Sequence, residues 1–523
     1  MKKQTLILTF DCGTQSIRGL IFDKEGNILA KEQEYFEPYF SREPGFAEQK
    51  WEVYWNAFTT VSKRIHQNNP QLVEMIAAVT TTTIRDTNIC MDKDGNLLRD
   101  VIVWMDQRKA KCKKPLPKKN VLLFNLVGMG EALEGQRKVT KSNWLQENEP
   151  EIWNKTYKYL LFSGYLNYVL TGKIVDSYAN QVARIPFDYK NKVWQKENGL
   201  TFPVFNIPLD KLPDLVNPGD ILGTITKKAS LETGIKEGTP LIATGSDKGC
   251  ETLGSGVLSE NAASLSFGTT ATIQFATKRY VEPEVFLPAY PGVVKEYYNP
   301  EVQIYRGFWM ISWFKQEFAQ REVVEAKKLG IAPEIILNKM LAEVPPGSEG
   351  LILQPFWDPM LKNPEARGSI IGFTSDHTRK HIYRAIIEGI GYALYQGMKT
   401  VEKRMKTTIE YLTVSGGGSQ SDEICQITAD LFGLPVKRIQ TYEACGLGSS
   451  MVGFVTLGIY KDYHEAINNM VKYVKIFEPN PKNHEIYQEI YHEVYSKIYK
   501  KLKPLYSKMK TMIKKREDKY ETI

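Results

Sequence analysis

Two short turns built from glycine and threonine limit what this chain can fold into more than any other feature. The first is Asp11-Cys12-Gly13-Thr14-Gln15-Ser16, after the apolar run Leu6-Ile7-Leu8. The second is Ser266-Phe267-Gly268-Thr269-Thr270, after Ala262-Ala263-Ser264-Leu265. Each reads as a strand, a tight turn and a returning strand, the pattern of a β-hairpin. Small residues and hydroxyls at such a turn let backbone N–H groups approach a phosphate chain. The copies lie about half a chain apart, so the pattern predicts two related domains gripping one polyphosphate from both sides. They differ in one respect. Asp11 precedes the first glycine and has no acidic counterpart in the second copy; a carboxylate there is placed to hold Mg²⁺ or its waters near the phosphates.

A chain of 523 residues has room for two to four domains and a large core. No stretch approaches the roughly 18 to 20 apolar residues that span a bilayer. Met1-Lys2-Lys3-Gln4 leads into a strand-like run rather than a cleavable leader. The six cysteines, at 12, 90, 112, 250, 425 and 445, form no CxxC pair. That spacing argues against a disulfide framework or a structural zinc site and predicts a reducing, cytoplasmic setting. The net charge of +8 is spread along the chain, with denser patches at Arg108 to Lys119 and at Lys497 to Arg516. No nucleic-acid-binding motif accompanies either patch, so both read as solvated surface, with neither nucleic acid nor membrane as a partner.

LILTF, GLIFD and NILAK predict an antiparallel meander with turns at Gly13-Thr14 and Glu25-Gly26-Asn27. Trp51 to Gln67 reads as a helix and Met75 to Thr83 as a strand. Gly245 to Gly256 is a glycine-rich junction and the expected hinge between halves. The expected domains are 1–255, 256–480 and a terminal segment, 481–523. Tyr383 to Met405 is helical, with small residues for close packing. Ile486, Ile490, Val494, Ile498 and Leu502 recur every fourth residue, beside tyrosines at 487, 491, 495 and 499. Together they predict a long amphipathic helix whose stripe packs on the core, with a partner-binding helix as the alternative, and Pro504 should end or kink it.

Three further segments carry chemistry. Leu412 to Ser415 reads as a strand running into Gly416-Gly417-Gly418-Ser419, whose amides would face an anion at a helix start. Asp247, in Gly245-Ser246-Asp247-Lys248-Gly249, is either a general base towards a hydroxyl or the cap of a helix starting at Lys248. His377 and His381 have the spacing of a metal pair, but nothing nearby completes a site. Cys12 reads as a small packing residue.

Together these segments resemble the FGGY family of carbohydrate kinases, from about residue 5 to residue 460. The likeness covers DCGTQSIR, GFAEQ followed by Trp55, WMDQR, KVTKSNWLQENEPEIW, YVLTGKIVDSYAN, GSDKGCETLGSG, SFGTTATI, PEARGSIIGFTSDHTRKHIYRAIIEGI, SGGGSQSDEICQITADLFGLPV and EACGLGSS, in family order. It implies an α/β protein of two actin-like (ribonuclease H-like) domains flanking a catalytic cleft, using ATP and Mg²⁺, with a homodimer as an expected assembly. By the same resemblance Asp11 orders Mg²⁺. Gly13, Thr14, Gln15 and Arg18 form the first phosphate clamp, and Gly268, Thr269 and Thr270 the second. Gly416, Gly417, Gly418 and Ser419 take the adenosine side, and Asp247 is the catalytic base.

Ile84-Arg85-Asp86, after strand Thr80 to Thr83, resembles the Arg-Glu pair with which glycerol kinases hold their polyol. A guanidinium donates and a carboxylate accepts, a matched set for vicinal hydroxyls. Asp stands here for Glu, and ALEGQRKVTK lacks the tyrosine expected before its helix. The implied acceptor is therefore an open-chain sugar or polyol of about four to six carbons, held by a site that rejects analogues lacking its hydroxyls. The Gln-Met-His-Gly type sequence of xylulokinases is missing. The alternatives are an autoinducer-2-type linear signal molecule, glycerol, or a non-catalytic regulator that binds sugar and nucleotide. Asp106 would line the acceptor pocket or support it.

Overall fold

The computed structural model describes residues 5–126, 130–285, 287–358 and 365–520; Met1 to Gln4 and the last three residues of the basic tail lie outside them. Two compact units emerge. The first comprises 1–254, 289–298 and 444–471, and the second 255–288, 299–443 and 472–523.

In the first unit Leu6–Cys12 (β1), Ser16–Phe22 (β2) and Ile28–Tyr35 (β3) form the expected meander. Ile76–Thr83 (β4) pairs parallel with β1 on its other side. Ile221–Thr224 (β5) and Pro240–Ile242 (β6) complete the sheet in the order β5-β6-β4-β1-β2-β3, with β6 parallel to β4. β1 is buried along its whole length, as its apolar run requires of a central strand covered on both faces. The run of four threonines ending β4 is buried too, and its polar groups find partners, the Thr80 hydroxyl lying 2.8 Å from that of Thr9. Thr82 Oγ1 donates to the Gly245 carbonyl at 3.1 Å, and Thr83 bridges Ser246 in parallel register. These contacts fix the chain just before Asp247.

The glycine-rich junction contains the boundary between the units, after Gly254. Asp247–Gly254 is a helix inside the first unit, and it crosses the helix Ala444–Thr456 at close range. A Cβ added at Gly254 would stand 1.9 Å from the Ala444 carbonyl oxygen, and one at Gly448 1.9 Å from that of Cys250. The glycines are the condition for this crossing.

The second unit repeats the plan. Ala262–Phe267 (β7), Ala271–Phe275 (β8) and Glu301–Ile304 (β9) form an antiparallel set. Tyr411–Ser415 (β10) and Val436–Ile439 (β11) follow in parallel, and Tyr473–Phe477 (β12) closes the edge antiparallel. The order β9-β8-β7-β10-β11-β12 matches β3-β2-β1-β4-β6-β5 position by position, including the senses of the strands.

The C-terminal helices pack on the core of the second unit, as expected, and the packing is shared unevenly between their stripes. Along 481–502 the tyrosines are the better buried stripe: Tyr487, Tyr491 and Tyr495 join the core of the second unit with Ile498, Ile490 and Leu502 pack against it partly buried, and Ile486 and Val494 are each 39% exposed. Tyrosine wins because the core offers its hydroxyl a partner. Tyr487 donates to the buried Glu388 carboxylate at 2.8 Å and accepts from Arg384 at 2.8 Å. Pro504 does not end the helix, which runs Ser496–Tyr520 with the proline inside it.

Candidate active site

In the first unit, three parallel neighbours present their carboxyl ends side by side: β1 ends at Asp11 and Cys12, β4 continues into Ile84-Arg85-Asp86, and the chain after β6 reaches Ser246-Asp247. In open α/β sheets ligands bind at such carboxyl ends.

Asp11 is buried and stands opposite Arg18 in the β1–β2 register, so the two meet: Arg18 Nη1 donates to Asp11 Oδ2 at 2.8 Å. Gly13, Thr14 and Gln15 make the turn, closed by Gly13 N–H donating to the Ser16 carbonyl at 3.0 Å. Trp104 Nε1–H donates to Thr14 Oγ1 at 3.0 Å, fixing the hydroxyl side of the turn. Cys12 is buried, and burial pushes its thiol well up, with Asp11 adding to the shift; packing is its structural role.

Arg85 sits on Asp247. Its Nε lies 3.4 Å from Asp247 Oδ1 and donates to Ser246 Oγ at 3.2 Å, while its guanidinium lies 5.2 Å from the Tyr290 ring centre. Burial pushes the Asp247 carboxyl above the ordinary aspartate range, opposed by the charges of Arg85 and Lys248. Asp247 begins its helix one residue earlier than expected, and its Oδ1 also accepts from the Lys248 N–H at 2.7 Å.

Asp86 faces other partners. Its Oδ2 accepts from Lys141 Nζ at 3.0 Å and from Arg184 Nη1 at 2.6 Å. Burial would raise its pKa, but Lys141 and Arg184 outweigh it and hold the carboxyl below the usual range. Its backbone is left-handed, with φ +45°, a conformation Asp tolerates better than most residues. Lys141 and Arg184 were not singled out from sequence. Lys141 lies inside the KVTKSNW motif, so the motif was the available signal; Arg184 carried none, because its partner is about a hundred positions away. Asp106 supports rather than lines: Oδ2 accepts from the Ala47 N–H at 2.7 Å, and both oxygens take the buried Arg108 guanidinium.

In the second unit the two glycine motifs meet. Ser266 pairs with Ser415 in the β7–β10 register, so the Gly268-Thr269-Thr270 turn stands beside Gly416 to Ser419. The turn is pinned from behind: Phe308 and Trp309 N–H groups donate to the Gly268 and Thr269 carbonyls at 3.2 and 3.3 Å, and Thr270 Oγ1 to the Tyr305 carbonyl at 3.1 Å. The three glycines of 416–418 differ. A Cβ on Gly416, at φ +79°, would press on the Phe267 backbone at 3.0 Å, and one on Gly418 would strike the Phe308 ring at 2.6 Å. Nothing lies within 4 Å of a Cβ at Gly417. They do not open a long helix directly; Gly417–Gln420 is a short 3₁₀ turn, and the helix Asp422–Phe432 starts after Ser421, which caps it. His377 and His381 serve the start of the helix Arg379–Met405, His381 Nδ1 accepting from the Thr378 N–H at 3.0 Å. Among the described residues no group of three or more His, Cys, Asp or Glu could hold a metal ion.

Comparison with known proteins gives a consistent result. The N-terminal-domain profile of the FGGY family of carbohydrate kinases matches residues 6–254, and its C-terminal-domain profile matches 263–457. The uncharacterized sugar kinase YgcE of Escherichia coli is 29% identical over 482 residues, 92% of this chain and 90% of its own length. A xylulose kinase of Staphylococcus epidermidis is 28% identical over 492 residues, 92% of this chain and 94% of its own. Other relatives carry the names gluconokinase and glycerol kinase, at 25% and 26% identity. The solved structure of a ligand-bound xylulose kinase from Lactobacillus acidophilus superposes with a TM-score of 0.81 at 23% identity, covering 97% of this chain and all of that one. The fold is therefore α/β with two actin-like domains, one per sheet.

Proposed function

The chain belongs to the FGGY family of carbohydrate kinases, and from that premise we propose that it phosphorylates a hydroxyl of an open-chain sugar or polyol of about four to six carbons at the expense of ATP. One observation carries the reading: the row of Asp11, Arg85 and Asp247 across three parallel strand ends, with Arg85 3.4 Å from Asp247.

In this reading Asp247 takes the proton of the acceptor hydroxyl. Arg85 keeps that carboxylate ionised and aimed. Lys141 and Arg184 hold Asp86 charged, so that it can accept from acceptor hydroxyls. Gly13, Thr14, Gln15 and Arg18, with Gly268, Thr269 and Thr270, bind phosphate oxygens; Gly416, Gly417, Gly418 and Ser419 carry the adenosine side. Mg-ATP supplies the phosphoryl group and the charge neutralisation its transfer needs. The residues fit both. Mg²⁺ bound to nucleotide needs only one or two protein carboxylates besides phosphates and waters, and Asp11 meets that demand. The open space over Gly417 suits a planar group lying on the backbone. The acceptor size follows from Asp86, one methylene shorter than Glu, and from the lack of a tyrosine in ALEGQRKVTK. All six cysteines are free, in keeping with a cytoplasmic setting.

The test is ADP release with Mg-ATP over glycerol, tetritols, pentitols, ketopentoses, ketohexoses and dihydroxypentanedione. A four- to six-carbon open-chain acceptor should give the highest kcat/KM. Glycerol as the best substrate would overturn the size assignment, and binding without turnover on any acceptor would return the non-catalytic reading.

A further inference from the structure

The helix Ser496–Tyr520 begins as part of the second unit's core, through Ile498. Beyond Pro504 it carries an apolar stripe that the described residues leave uncovered: Leu505, Met509, Met512 and Ile513 are 50%, 49%, 57% and 40% exposed. Their spacing puts all four within one arc of the helix. At about 100° per residue, Lys501 and Lys508 border one edge of that arc, while Lys510 and Lys503 lie past the other edge, beyond the buried Tyr506; all four lysines are exposed. Lys497 to Arg516 holds nine basic and no acidic residues. The C-terminal-domain profile match ends at residue 457, ahead of this helix.

We propose that this helix lies flat on an anionic lipid surface, with Leu505, Met509, Met512 and Ile513 in the headgroup boundary and the flanking lysines on lipid phosphates. The reading of the tail as plain solvated surface accounts for its lysines but not for four exposed apolar side chains on one face. Lysines on either side of the stripe are what an in-plane helix needs, since their stems lie along the apolar boundary while the ammonium groups reach the headgroups. The same lysines oppose self-pairing, because a second copy would bring like charges edge to edge. The stripe runs about 13 Å along the helix at 1.5 Å per residue, too short to span a bilayer, and no helix among the described residues is long and apolar enough to cross one. Binding is therefore peripheral, reversible and sensitive to salt.

The test is cosedimentation of the full chain with vesicles of phosphatidylcholine alone and with vesicles in which a third of the lipid is phosphatidylglycerol. Binding to the anionic vesicles only, weakening as salt rises, is expected. Met509→Ser with Met512→Ser, and separately Lys501→Glu with Lys508→Glu, should each lower partitioning by about tenfold while leaving the melting temperature and Mg-ATP turnover unchanged. Failure to bind the anionic vesicles, equal binding to both, or wild-type binding by the serine variant would overturn the proposal. So would tighter binding to RNA or to an acidic polypeptide than to the vesicles at the same salt concentration.

Discussion

The two sheets share strand order and strand sense, and they differ in what stands at matching strand ends. In the first, β1 ends in Asp11 and β4 leads into Arg85 and Asp86; in the second, β7 ends in Phe267 and β10 leads into Gly416 to Gly418. One end is charged and the other is bare backbone. The charged end survives burial because each ion has a partner: Arg18 for Asp11, Asp247 for Arg85, Lys141 and Arg184 for Asp86. The bare end survives because glycine lets the Phe267 backbone and the Phe308 ring pack where a side chain would stand. Under the proposed function the repeated scaffold divides the labour, with proton and ion chemistry on one copy and backbone recognition on the other.

That division can be broken most sharply at Asp247. Asp247→Asn keeps volume and removes the proposed base, so kcat should fall by about 10² to 10⁴-fold with nucleotide affinity retained. Activity within a few-fold of the parent would reduce Asp247 to the helix-start role.

Arg85→Ala is expected to cost next most, about a hundredfold in kcat/KM for the acceptor, with the KM for ATP little changed. A pH profile gives a second readout. In the proposed role Asp247 must be ionised to act, so the rate should fall as pH drops through its raised pKa. Removing the Arg85 charge raises that pKa further, which moves the acid limb to higher pH. A limb that stays in place, or equal losses for ATP and acceptor, would separate Arg85 from Asp247.

On the bare side the glycines should divide. Gly418→Ala drives a methyl into Phe308 and should destabilise by about 1–3 kcal/mol, measured by denaturant unfolding. Gly417→Ala should leave stability unchanged and raise the KM for ATP several-fold. Identical behaviour of the two would remove the distinction between packing and recognition.

The smallest effects concern the helices that complete the second unit. Tyr487→Phe removes a hydroxyl bonded to Glu388 and Arg384 and should cost about 1 kcal/mol. Ile486→Ser, on the exposed stripe, should stay within about 0.5 kcal/mol. The reverse ranking would restore the aliphatic stripe as the packed one.

Much of this was legible locally. The meander β1 to β3, the repeat of the hairpin at β7 and β8, the helix over Trp51–Asn68 and the strand leading to Gly416 all follow from hydrophobic period and turn residues, which act over a few positions. So does the presence of Asp11 beside a Gly-Thr turn, and hence its meeting with Arg18, because hairpin register sets both. Local signals failed where two surfaces compete or distant segments meet. Ile and Tyr stripes one residue apart are equally periodic, and only the buried Glu388 and Arg384 decide that tyrosine faces inward. Gly254 and Gly448 lie far apart in the chain, so only the crossing of their two helices shows why neither can carry a Cβ. Arg85 and Asp86 are neighbours in sequence, yet Asp247 engages one while Lys141 and Arg184 engage the other. Sequence by itself determined which residue types stand at the strand ends. Tertiary structure alone decided their partners, because charge pairing and burial are set by distance in space, and sheet order brings together groups that the chain holds far apart.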